Sequence, residues 1–164
     1  MVRTIAFRLV SAAALAGALA ACSSEAPADA PDAAAGEPSV IKERQDNFEA
    51  IADAFKLVRG ELEKAAPDFT LIGAQASDIN ARATKIADYF PEGTGIDQGF
   101  DTEALASIWE KPDEFAAAHQ KLVDESATLV SLAETGDAAA IGAQAMAMGG
   151  ACKGCHDNFR LDKK

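Results

Sequence analysis

The chain is poor in everything that would make it a disulfide scaffold, a sheet protein or a binder of nucleic acid. Among 164 residues there are three cysteines, two histidines, one tryptophan and one tyrosine. Each cysteine has a setting of its own, at positions 22, 152 and 155, so no thiol is left over for a structural disulfide. Basic residues are also scarce: 15 Lys and Arg stand against 26 Asp and Glu, a formal net charge of −11. An acidic surface argues against nucleic acid as a partner and against direct adhesion to anionic lipid headgroups. No segment is strand-rich. The N-terminal apolar stretch, Leu9 to Ala21, is short of the roughly 20 apolar residues that a membrane-spanning helix needs.

What is present is concentrated near the C-terminus. Cys152-Lys153-Gly154-Cys155-His156 reads C-x-x-C-H, the attachment pattern of a c-type haem. On a helix, residues three apart share a face, so both thiols can add to the vinyl groups of one porphyrin. His156 then offers an imidazole nitrogen to the iron. Two other readings are weaker. A zinc site needs a fourth ligand, and the only other histidine is His119. A thioredoxin-like redox pair is expected beside a βαβ pattern, which is missing.

The other end of the chain concerns destination. Arg3 and Arg8 precede the stretch Leu9–Ala21, the layout of a secretory signal over residues 1–21. It ends Leu19-Ala20-Ala21-Cys22, which resembles the lipobox of bacterial lipoproteins. That resemblance implies a lipidated Cys22 at a new N-terminus, and two or more acyl chains anchor a protein stably. Ser23 and Ser24, with no Asp next in line, favour the outer membrane by the same resemblance. The alternative is an ordinary signal cut near an A-x-A site, with Cys22 a stray thiol. Residues 22–39 are dominated by Ala, Pro and acids, too little to bury, and read as a flexible tether.

Residues 40–164 read as one helical domain. Apolar residues recur at helical spacing from about Val40 to Lys64, and Pro67 stops that helix. A second helix is expected from about Phe69 to Phe90, broken by Pro91-Glu92-Gly93-Thr94-Gly95. A short helical turn covers Glu103 to Trp109. Pro112, Asp113 and Glu114 open a third long helix that Gly136 ends. The fourth starts near Asp137 and carries Ile141, Met148, Cys152, Cys155 and Phe159 on related faces. Four such helices with short connections make an all-α, antiparallel four-helix bundle with a covalently attached haem.

From Ile41 to Arg160 the chain resembles the cytochrome c′ family. Arg44-Gln45 with Phe48, Tyr89-Phe90-Pro91-Glu92-Gly93-Thr94, Ile108-Trp109 before Phe115, and Cys152–His156 followed by Arg160 resemble that family's motifs in order. The resemblance implies one covalent haem c, with His156 as the iron's fifth ligand and the residue at position 48 covering the opposite face. In low-spin relatives that position is a methionine; here it is Phe48, which cannot coordinate iron. A five-coordinate, high-spin iron is therefore expected. Met146 and Met148, on the helix of His156, are expected in the core. Arg160, one turn after His156, sits by resemblance beside the proximal imidazole. Arg44 has a haem propionate as its natural partner, with a solvated surface charge as the bland reading. His119 is expected at or near the surface, and Trp109 and Tyr89 in packing roles. Exposed Lys153 is a residue that could help docking.

The functions implied are electron transfer, with a redox partner presenting a basic patch, and binding of a small diatomic gas such as nitric oxide or carbon monoxide. A dedicated gas-sequestering or sensing protein is the alternative. No acid–base residue stands in the distal pocket, so no enzyme is expected. Location is expected in the periplasm, with membrane contact through the N-terminal lipid only. Pairing of two bundles into a homodimer is left open.

Overall fold

The computed structural model describes residues 37–162, all within one compact unit. The expected signal, Cys22 and nearly all of the expected tether lie outside the described residues. Four long helices dominate: α1 (Ser39–Leu62), α2 (Phe69–Ala83), α4 (Pro112–Ala133) and α5 (Ala138–Phe159), with a one-turn α3 (Ser107–Glu110) before α4. Each start has a local cause. Asp68 caps α2 by accepting from Leu71 N, Pro112 opens α4, and Asp137 caps α5 by accepting from Ala139 N and Ala140 N. Gly136, at φ +68°, makes the tight turn between α4 and α5.

The bundle core is drawn from one stripe of each helix, with Ile51 and Val58, Ile72 and Ile79, Leu129, Ile141 and Met148 at its centre. Burial of these aliphatic side chains is the main driving force for the bundle. Polar groups inside it are bonded across helices: Asn80 Nδ2 donates to Val123 O and Ser126 Oγ, tying α2 to α4. Helix α1 packs along α2, α2 along α4, and α4 along α5, whereas α1 and α5 touch far less. The gap between α1 and α5 is where a cavity opens.

Three local expectations need correction. The second helix does not run to Phe90. Its α-helical part ends at Ala83, and Ile86–Tyr89 form a 3-10 helix instead. Ile86 and Phe90 keep their inward positions, because spacings of three and four suit a 3-10 turn as well as an α turn. The turn expected over Glu103–Trp109 is helical only from Ser107. Residues just before it run beside the end of α5, through an isolated antiparallel bridge between Ala104 and Arg160. Finally, Met148 is buried in the core at 1% exposure, but Met146 is 74% exposed. Two residues apart on a helix, they face opposite sides.

Candidate functional site

The last two turns of α5 hold Cys152, Cys155 and His156. Cys152 and Cys155 are unpaired, half-buried and three residues apart, so one helix face presents both thiols. Both open into a cavity of about 640 Å³, as does His156. Facing them, α1 contributes Phe48, Ile51 and Phe55, while Phe90 and Phe115 close the inner end. A largely apolar cavity of this size has room for an organic cofactor.

Burial governs the titration of the groups on α5. It pushes the Cys152 thiol up, and with Cys152 beside it the Cys155 thiol is pushed up to about 11. Both sulfurs are therefore neutral at pH 7. His156 keeps an exposed edge, but loss of hydration on the cavity side lowers its pKa. Arg160 lowers it further, and Glu103 and Asp157 pull the other way. The imidazole is thus neutral near pH 7, with a lone pair available for a metal.

Arg44 is only 3% exposed, and its guanidinium bonds to protein acceptors on a distant loop. Nη1 reaches Thr94 Oγ1 at 3.3 Å and Tyr89 O at 3.5 Å, and Nη2 donates to Thr94 O at 2.9 Å and Thr102 Oγ1 at 2.8 Å. The group also lies over the Phe90 ring, 4.7 Å from its centroid. Desolvation lowers its pKa, with Glu37 opposing, but an arginine stays charged regardless. The propionate expected as its partner thus competes with a set of acceptors already in place. Next to it, Gln45 Nε2 donates to Asp101 O at 2.9 Å. Together these bonds strap residues 89–102 to α1 along one side of the cavity.

Phe48 is held by a chain of rings. It meets Phe90 edge-on at 6.2 Å, Phe90 meets Phe115 at 5.0 Å, and Phe115 meets Phe159 at 5.3 Å. Trp109 packs on Phe90 and donates from Nε1 to its carbonyl at 3.1 Å, a packing role. His119 is half-buried at the cavity wall, with Nε2 2.7 Å from Ala83 O, so that nitrogen acts as a donor. Arg160 Nε donates to Glu103 Oε2 at 2.5 Å. Lys153 is exposed and paired with Asp157 at 2.5 Å, which leaves less free charge for docking than its sequence position suggests.

The cavity therefore gathers Cys152, Cys155, His156, Phe48, Arg44 and Arg160, whereas Cys22 is outside the described residues. Glu103, Thr94 and Thr102 were missed as contributors. Thr94 ends the run Tyr89–Thr94, but nothing local marks Glu103 or Thr102, whose partners are far away in the chain. Two neutral thiols on one helix face, a neutral imidazole and a large apolar cavity before them fit a haem.

Comparison with known proteins agrees with this fit. A family model described as Cytochrome C′ matches residues 39–160. Cytochrome c′ of Rhodospirillum rubrum is 38% identical over 148 residues, which cover 88% of this chain and 95% of that protein. The crystal structure of cytochrome c′ from Rubrivivax gelatinosus superposes with a TM-score of 0.66 at 34% identity, covering 74% of this chain and 94% of the other. A nitric oxide complex of a cytochrome c′ variant from Alcaligenes xylosoxidans superposes with a TM-score of 0.66 at 26% identity, over 76% and 95% of the two chains. The chain belongs to the cytochrome c′ family, whose members are helical bundles with one covalently attached haem c.

Proposed function

We propose that Cys152 and Cys155 carry the haem through thioether bonds, that His156 is the iron's fifth ligand, and that Phe48 covers an open sixth position. The bound haem supplies an iron that changes between ferric and ferrous states and takes up a diatomic ligand at an open position. Phe48 is the observation that carries this reading. Of the α1 residues that line the cavity, Phe48, Ile51, Ala52 and Phe55 have no atom that coordinates iron, Arg44 and Gln45 are bonded to the 94–102 segment, and Glu49 is exposed to solvent. His119 Nε2 already bonds to Ala83 O, and Met148 stands on α5 itself, two turns before His156.

An apolar face without a close donor disfavours water and bound dioxygen, whose partial negative charge wants a hydrogen bond. It accepts nearly neutral gases. Binding of nitric oxide or carbon monoxide, together with electron transfer, is the function this arrangement supports, and no enzymatic role is assigned. The nitric oxide complex of the Alcaligenes xylosoxidans protein supports the gas-binding half. Residues 1–22 support export to the periplasm and attachment to a membrane through lipid on Cys22.

Titration of the reduced, haem-loaded protein with carbon monoxide tests the reading. A saturable spectral change at one gas per haem is expected. A spectrum that the gas leaves untouched would overturn the open site and leave electron transfer alone.

A further inference from the structure

Glu103 belongs to none of the motifs through which the chain resembles its family. The structure nevertheless builds a small frame around it. Leu161 N donates to Glu103 O at 2.8 Å, and Leu105 N donates to Phe159 O at 3.1 Å, the two bonds flanking the bridge between Ala104 and Arg160. Ser107 Oγ adds a bond to Asn158 O at 2.7 Å. These contacts set the backbones of Glu103 and Arg160 side by side before their side chains meet. Arg160 Nε then donates to Glu103 Oε2 at 2.5 Å, from a guanidinium half exposed to a carboxylate side chain only 27% exposed. Both residues line the cavity beside His156.

An arginine at the end of a helix ordinarily samples many rotamers, and an exposed ion pair does little to stop it. This pair differs, because backbone bonds place the acceptor and partial burial reduces screening. We propose that Glu103 is a positioning residue for the proximal face of the haem, holding the Arg160 guanidinium at the His156 side of the cavity. The inference rests on His156 being the iron's ligand. Its consequence is electrostatic: the Arg160 charge, kept near the iron, favours the ferrous over the ferric state and offsets the opposite effect of the Glu103 carboxylate beside it, whereas a charge released to solvent does neither.

The test is a cycle of midpoint potentials on the haem-loaded protein. Arg160→Gln is expected to lower the potential in the wild-type background. In a Glu103→Ala background the same substitution is expected to move it less than half as far, because Arg160 has already left its place. Glu103→Asp, which keeps the carboxylate, is expected to restore the effect of Arg160. Equal shifts in both backgrounds, or none in either, would overturn the proposal. Amide exchange at Leu105 and Leu161 provides a readout independent of the haem. It should stay protected in Glu103→Ala, and lost protection would make the role structural and overturn positioning. Failure of the underlying reading shows elsewhere, as an unchanged ferrous spectrum in His156→Ala.

Discussion

Arg44 on α1 and Thr102, 58 residues further along the chain, are joined by a 2.8 Å hydrogen bond from Nη2 to Oγ1. The bond holds to α1 a segment that, two residues later, bridges to Arg160 at the end of α5. The two helices that wall the cavity touch little directly, and this strap adds a link between them to the one that runs through α2 and α4.

Arg44→Leu is expected to destabilise the haem-loaded protein by about 2–4 kcal/mol, because buried acceptors on Thr94 and Thr102 lose a charged donor. Urea unfolding measures this. The ferrous absorption spectrum should stay close to wild type. A stable variant with an altered haem spectrum would instead favour the propionate role.

The axial positions give opposite outcomes. His156→Ala should leave haem attached through both thioethers but remove the native axial bond, and an unchanged ferrous spectrum would sink that assignment. Phe48→Met is expected to turn a high-spin centre into a six-coordinate low-spin one. Persistence of the high-spin spectrum would refute the distal placement of Phe48.

Glu61 predicts a pH dependence of stability. Its carboxylate bonds to Lys64 Nζ and accepts from Asp68 N at 3.1 Å, closing the connection between α1 and α2. The bond from Lys64, then that from Asp68, lowers its pKa below the ordinary value of 4.5. A lowered folded-state pKa means stability that is present above pH 4.5 and lost as pH falls through the folded value. Glu61→Gln should thus be less stable than wild type at pH 7, with the gap closing at a pH well below 4.5. Urea midpoints at the two pH values check this, and a constant gap would contradict it.

Cys22→Ala is expected to move the protein from the membrane into the soluble periplasmic fraction, read by fractionation of cells. Continued membrane association would rule out lipid on Cys22 as the anchor.

The sequence revealed most of what depends on neighbours along the chain. Pro112 with Asp113 and Glu114, and Asp137, marked helix starts that the structure reproduces within a residue. Cys152, Cys155 and His156 stand out in the sequence because a helix alone sets their spacing. The change to a 3-10 helix after Ala83 was hidden, since one turn of apolar spacing does not separate the two helix types. The segment around Glu103 was hidden for a different reason. Its extended form is held by bonds to Phe159 and Leu161, more than 50 residues away, and no local propensity encodes them. Arg44 was noticed, but its acceptors on Tyr89, Thr94 and Thr102 became visible only once the loop was folded back onto α1.

The most direct test of the central claim is the absorption spectrum of the purified ferrous protein, before and after nitric oxide. An open iron with His156 on one side and Phe48 on the other predicts a high-spin spectrum that shifts when the gas is added. A low-spin spectrum that nitric oxide leaves unmoved would contradict it, and would mean that a sixth ligand, His119 first among candidates, occupies the position assigned here to the gas.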